Sequence, residues 1–345
     1  MTASPKFRIV RSFAGAALAV AVQLAWAHPT YKIDAPALDG NVQSPAGLNK
    51  RGWVAANVDT SDGGDAYRCT KSVCVRIPEL PNDRSDWGVT AKAIDDLGVV
   101  VGESPSGSVM HAFRFDGTTT EDLGALVVGG DSTAFGSNKL GQVVGQARDA
   151  HGNYLPFVWQ AGVMTALPTL GGDGGSAVAI DENGVIVGNA ATVDLDYHAV
   201  LYRDGQIQDL GVLPGGFVAS ALAINHHGQV VGESSTDGLF KNRAFIHENG
   251  AMRELPSLPD TVISRAASIN DAGWVVGTAW VHGRGLRGFA FDGATSFDLN
   301  DALSPADQKR WRINEAVSIN AKGQILVSAR NKKNGAHEAL TLTPQ

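Results

Sequence analysis

"AINHHGQVVGES", residues 223–234, sets His226 and His227 side by side before a glycine. Taken alone, the stretch resembles a metal or catalytic site. Six other stretches of the chain align with it: "GLNKRGWVAANV" (47–58), "AIDDLGVVVGES" (93–104), "GSNKLGQVVGQA" (136–147), "AIDENGVIVGNA" (179–190), "SINDAGWVVGTA" (268–279) and "SINAKGQILVSA" (318–329). Their turn glycines are Gly52, Gly98, Gly141, Gly184, Gly228, Gly273 and Gly323, in steps of 46, 43, 43, 44, 45 and 50 residues. Self-similarity at such a period marks a repeat architecture.

Each copy follows the same physical logic. Asn or Asp opens a four-residue turn, where its side chain can accept a backbone N–H, and glycine closes it where the backbone moves to positive φ. The apolar run that follows, such as Val230-Val231, does not alternate with polar residues, which predicts a strand buried on both faces. His226 and His227 occupy the two central turn positions. Other copies place Lys50-Arg51, Asp96-Leu97 or Glu182-Asn183 there. The histidine pair is therefore predicted to be two exposed turn residues.

A second pattern follows each copy, as in "HAFRFDGTTTEDLGAL" (111–126) and "HAVLYRDGQIQDLGVL" (198–213). An aromatic-rich strand runs into Asp-Gly and a further strand starts, which is a hairpin signal. Four strands per period predict an all-β, seven-bladed β-propeller of four-stranded blades. After the seventh copy "HEALTLTPQ" (337–345) supplies only a third strand. "YKIDAPALDG" (31–40) aligns with "IQDLGVLPGG" (207–216), so the N-terminal strand is expected to complete the last blade and close the ring.

Lys6, Arg8 and Arg11 precede an apolar stretch from Phe13 to Trp26 and the A-x-A-type site Ala25-Trp26-Ala27. This is the pattern of a signal peptide over residues 1–27, leaving residues 28–345 as one propeller domain. The segment carries three basic residues and no acid, so the mature chain is more acidic than the net −7 of the whole. An acidic chain without a basic block does not read as a nucleic-acid binder. No later stretch reads as a membrane span. Export implies a periplasmic or extracellular, oxidising compartment. Cys69 and Cys74, the only cysteines, flank a hairpin turn in "CTKSVC" and are expected to form a disulfide.

Leu170-Gly171-Gly172 with Ser176, then Ala177 to Gly188, and His111-Ala112-Phe113 together resemble the HAF-repeat family of extracellular bacterial proteins. The resemblance covers nearly all of the mature chain. It implies secretion and a repeat β fold, and no particular activity. Repeat one departs from V-V-G with Ala55-Ala56, and repeat seven reads Ile325-Leu326-Val327.

In a propeller of this topology both short turns of each blade lie on one face and the longer connections lie on the other. Loops on a rigid scaffold carry function, so the long-loop face is the expected site. Its candidates are Arg84 and Trp87 in "PNDRSDWG" (81–88), Arg265 in "PDTVISR" (259–265), Trp280, His282 and Arg287 in "WVHGRGLR" (280–287), and Trp311 and Arg312 in "SPADQKRWRINE" (304–315). Exposed indoles can stack on sugar rings, and guanidinium groups can hold anions. Ser304 as N-cap and Pro305 at N1 predict a short helix, expected over the channel mouth.

No G-x-S-x-G elbow, H-E-x-x-H pair or P-loop is present, and no cofactor is indicated. Asp59, Asp62 and Asp65 are spaced like oxygen ligands for Ca²⁺, but the twelve-residue loop with its final Glu is absent. His111, His198 and His337 recur at one slot and read as framework. Two classes of function stay open. One is a secreted binding module for a glycan or protein partner. The other is a lyase or hydrolase acting on an extracellular polysaccharide, through Arg265, His282 and Arg312. The lack of a catalytic motif favours the binding module.

Overall fold

The computed structural model describes residues 29–34, 42–59, 64–81, 87–237 and 241–345. The expected signal peptide, Asp62 and Arg84 lie outside them.

The chain forms seven four-stranded antiparallel sheets. The first strand, β1 (Tyr31–Asp34), stands apart from the first sheet. Blade one is β2 (Val42–Leu48), β3 (Val54–Val58), β4 (Asp65–Cys69) and β5 (Cys74–Arg76). Blade two is β6 (Thr90–Ile94), β7 (Val100–Ser106), β8 (Val109–Phe115) and β9 (Thr120–Asp122). Blade three is β10 (Ser132–Ser137), β11 (Val143–Arg148), β12 (Tyr154–Gln160) and β13 (Val163–Ala166). Blade four is β14 (Gly171–Ile180), β15 (Ile186–Thr192), β16 (Tyr197–Arg203) and β17 (Gln206–Gly211). Blade five is β18 (Ala219–Ile224), β19 (Val230–Ser235), β20 (Asn242–Glu248) and β21 (Ala251–Glu254). Blade six is β22 (Thr261–Ile269), β23 (Val275–Val281), β24 (Gly285–Phe291) and β25 (Ser296–Asp298). The helix α1 (Pro305–Arg310) then leads to β26 (Trp311–Ile319), β27 (Ile325–Asn331) and β28 (His337–Pro344).

The seventh sheet runs β1-β28-β27-β26, so the N-terminal strand is its outer strand, as the sequence predicted. Tyr31 faces Pro344 and Asp34 faces Thr341. The Thr343 hydroxyl donates to the Asp34 carboxylate at 3.0 Å. Cys69 and Cys74 face each other across β4 and β5 and form the disulfide.

The second strands are buried on both faces: Val100, Val101, Val230, Val231, Val275 and Val276 have no exposed surface. Their side chains fill the layers between neighbouring blades, where burial of apolar area supplies the main stabilisation. The glycine of V-V-G is required by close approach. A Cβ on Gly277 would collide with the Arg265 carbonyl oxygen of the inner strand. Phe289 packs over the same spot, which couples this glycine to an aromatic of the third strand.

The turn asparagines act twice. Asn225 Oδ1 accepts the N–H groups of His227 and Gln229, as expected of the turn. Its Nδ2 donates to the backbone carbonyl of Asn270, at the same position of the next blade, at 3.0 Å. Asn49, Asn138, Asn270 and Asn320 reach in the same way to Asp95, Asp181, Asn320 and Asn49. Only Asp95 and Asp181, which lack the amide, leave gaps in this ring among the described residues. The adjoining slot carries polar pairs between blades: the ion pairs Lys50–Asp96 and Lys139–Glu182, and the hydrogen-bonded His226–Asp271. His226 is thus an exposed turn residue, as predicted, and also an inter-blade partner.

Candidate functional site

The seven inner strands enclose a central channel of about 530 Å³. Five residues before each turn Asn or Asp, each inner strand carries a polar residue: Ser44, Thr90, Thr133, Ser176, Ser220, Arg265 and Glu315. These face Asn57, Glu103, Gln146, Asn189, Glu233, Thr278 and Ser328 on the second strands. The row lies toward the long-loop end of the channel. It bonds blades one to five in succession. Thr133 donates to Glu103 at 2.7 Å, Ser176 to Gln146 at 2.6 Å, and Asn189 to Ser220 at 3.0 Å. Asn57 accepts from the N–H of Ala91 at 2.8 Å.

Blades six and seven break this row. Arg265 and Glu315 replace the Ser or Thr of the other copies. Arg265 Nε lies 3.9 Å from a Glu233 oxygen, and no hydrogen bond joins Thr278 to Glu315 among the described residues. A recess of about 380 Å³ opens there, lined by Glu233, Asn242, Arg265, Thr278 and Glu315 on its polar side. Ile263, Trp280 and Leu286 form its apolar side. Trp280 is 48% exposed, an indole held open to solvent by a β-ladder. Asn242 donates to Glu233 at 3.2 Å, which fixes that carboxylate.

The structure therefore brings Trp280 and Arg265 together. The segments expected as loops are largely strand: β22 holds Thr261–Arg265, and β23 holds Trp280 and Val281. Continued pairing of Ile263 with Trp280 and of Trp280 with Leu286 extends blade six into the face and rigidifies the indole. His282 is exposed at the tip of that hairpin and does not line the recess.

Arg287 and Arg312 form a separate group. Arg284 Nη2 lies 2.9 Å and Arg287 Nε 3.4 Å from one oxygen of the buried Asp298. Burial, and then the charge of Arg312, pull the Arg287 guanidinium below its ordinary pKa. Trp311 corrects the expectation that it stacks on a ligand. It is 4% exposed, packs with Leu299, Ile313 and Ala329 in the core, and carries Arg310 over its ring at 4.9 Å. Trp87 is half-buried.

The helix forms as predicted, with Ser304 Oγ accepting from Asp307 N–H at 3.1 Å. Its position differs from expectation. Gln308 and Arg310 accept from Lys332 of blade seven, and no helix residue lines the channel.

Asp65 is bound by Arg76, whose Nε donates to it at 2.7 Å, so it is not a free metal ligand. Asp59 is exposed, and no group of three His, Cys, Asp or Glu suited to a metal occurs among the described residues. His111 and His198 bond Asp122 and Asp209 of their own blades, as framework residues do.

The chain is a closed seven-bladed β-propeller with a polar recess beside its channel. Residues 215–341 match a family described as "Protein of unknown function (DUF3466)". No curated protein matches the sequence. Among solved structures, the fold is similar to the β-propeller domain of the Trilobed protease from Pyrococcus furiosus, with TM-score 0.51, 12% identity, and 75% of this chain and 81% of that one covered. It is also similar to the acylaminoacyl peptidase of Pyrococcus horikoshii, at TM-score 0.55 and 10% identity, covering 88% of this chain and 51% of the peptidase. Streptogramin B lyase aligns at TM-score 0.52 and 8% identity, over 92% and 98%. Identities this low concern the fold alone. Among the described residues no helix is long and apolar enough to cross a membrane. The disulfide is consistent with an extracellular or periplasmic protein.

Proposed function

We propose that this protein is a secreted binding module that holds a saccharide in the recess between blades five, six and seven. The observation that carries this reading is the exposed Trp280 beside Arg265, Glu233 and Glu315. A sugar ring presents an apolar face for the indole and hydroxyls for paired carboxylate and guanidinium groups. The resemblance to extracellular HAF-repeat proteins and the signal-peptide pattern support export. Arg287 and Arg312 flank the recess as accessory contacts, and His282 stands at the tip of the adjoining hairpin.

The test is isothermal titration of the protein with a panel of oligosaccharides, repeated with Trp280→Ala. A glycan that binds the native protein and binds the variant at least about tenfold more weakly supports the reading. Equal binding by both places the site elsewhere. If no glycan binds and a protein is captured through this face, the partner is a protein.

A second reading is a polysaccharide lyase or hydrolase, favoured by two carboxylates, Glu233 and Glu315, on one recess. Product analysis of any glycan that binds separates the two. Shortened or unsaturated products make the protein an enzyme, and an unchanged polymer makes it a binder.

A further inference from the structure

The rim beside the recess is basic, in a chain whose net charge is −7. Arg284 and Arg287 share one buried carboxylate, Asp298. Arg312 and Arg330 face each other in register on β26 and β27. Like charges directly opposite on neighbouring strands repel. Neither takes part in an ion pair among the described residues, and Arg312 Nε is buried without an acceptor. The Arg312 guanidinium also leans across to blade six, where a Cβ on Gly285 would lie 3.0 Å from its Nη2. Gly285 adjoins Leu286, which lines the recess. Lys332 and Lys333 follow in the turn after β27, both without a carboxylate partner among the described residues.

Acids are present nearby, and they are placed otherwise. Asp307 accepts from Ser304, Glu338 from Asn331, and Glu315 faces the recess. The rim thus keeps a repulsive arginine pair and an unpaired buried donor in a folded state. An external anion on Arg312 and Arg330 would offset the repulsion, since guanidinium groups bind carboxylates and sulfates through paired N–H donors.

We infer that the ligand of this face is an anionic polysaccharide, whose carboxylate or sulfate groups seat on the rim around Arg312 and Arg330 while a sugar ring occupies the Trp280 recess. This rests on the saccharide reading and names the ligand class. Carboxylate and sulfate share the required chemistry, and two polymers distinguish them.

The experiment titrates the full protein with polygalacturonate, dextran sulfate and neutral dextran at low and moderate salt. The double variant Arg330→Ser, Lys333→Ser, at two exposed positions, is titrated alongside. At least one polyanion is expected to bind at least tenfold more tightly than dextran, and to weaken about tenfold as the salt approaches physiological strength, where charges are screened beyond roughly 8 Å. The double variant is expected to lose most of that preference with an unchanged melting temperature. Polygalacturonate alone marks a carboxylate ligand and dextran sulfate alone a sulfate ligand. Polyanion binding that ignores salt, or that survives both substitutions, overturns the inference. A neutral glycan that binds through Trp280 while neither polyanion binds overturns it too, and leaves the saccharide reading standing. If nothing binds, both fail.

Discussion

The side-chain amide of Asn320 donates to the backbone carbonyl of Asn49 at 3.0 Å, joining blade seven to blade one across 271 positions of sequence. Asn320 Oδ1 meanwhile accepts the N–H groups of Lys322 and Gln324. One residue therefore shapes a turn and closes a ring.

Asn320→Asp separates the two roles, because it keeps the turn acceptor and removes the amide. A loss of about 1–3 kcal/mol is expected, the cost of leaving a buried polar group without its partner. Asp95→Asn is the reverse experiment. Burial raises the Asp95 carboxyl pKa against the pull of three backbone N–H groups and the Ser137 hydroxyl, and the amide would exchange that long 3.4 Å bond from Ser137 for the backbone link to blade three that the asparagine turns make. A gain of up to about 1 kcal/mol is expected. Urea melts of the two variants check both signs.

Gly277→Ala should destabilise by about 3 kcal/mol or more, since the obstacle is a backbone carbonyl that cannot turn aside. Chemical denaturation measures it. A loss below about 1 kcal/mol would mean that the inner strand yields.

Arg265→Ser and Glu315→Ser restore at each position the kind of residue the other copies carry. Folding should be unaffected, with melting temperatures at or above that of the native protein. Saccharide binding should fall by at least about tenfold for each. Titration and thermal melts on the same samples read both effects.

Tyr31 is buried in the closing sheet, and burial pushes its phenol up to about 12. A raised folded pKa contributes stability that is complete below the unfolded value of about 10 and is lost as the pH rises through the folded one. Native protein should therefore lose stability between about pH 10 and 12, and Tyr31→Phe should lose less. Equilibrium unfolding as a function of pH checks this.

Asp271 tests the opposite limb. Burial raises its carboxyl, but the His226 backbone N–H and ring outweigh it, so the net shift is downward. Its contribution is present above about pH 3.9 and fades as the pH falls through the depressed folded value. Asp271→Asn should flatten the acid limb of the stability profile.

The sequence was most legible where the backbone must do something unusual. Asn-x-x-Gly turns, the Cys69–Cys74 hairpin, the Ser304 cap and the strand missing from the last blade all follow from local geometry. The recess was half legible. Trp280 and Arg265 were found by residue type. Glu233 was missed because it sits in a repeat strand that looked like framework, and Glu315 because the aromatic and basic residues of its loop segment drew attention first, although aligning the copies shows Arg265 and Glu315 as departures from Ser and Thr. Trp311 misled because its segment read as loop, while the chain there begins β26 and turns the indole inward. The second use of each Asn, toward the next blade, depends on blade spacing that no single repeat encodes.

The mixed closure also orders events in time. β1 leaves a ribosome or an export channel early, and its partner β28 follows some three hundred residues later. Until then the growing ring has two open sheet edges, and each can pair with another chain. Joining strands so distant in sequence is slow, because the entropy of closing the loop comes before the contacts that reward it. The yield of refolded monomer should therefore fall as protein concentration rises, with swapped dimers exchanging β1 as the competing product.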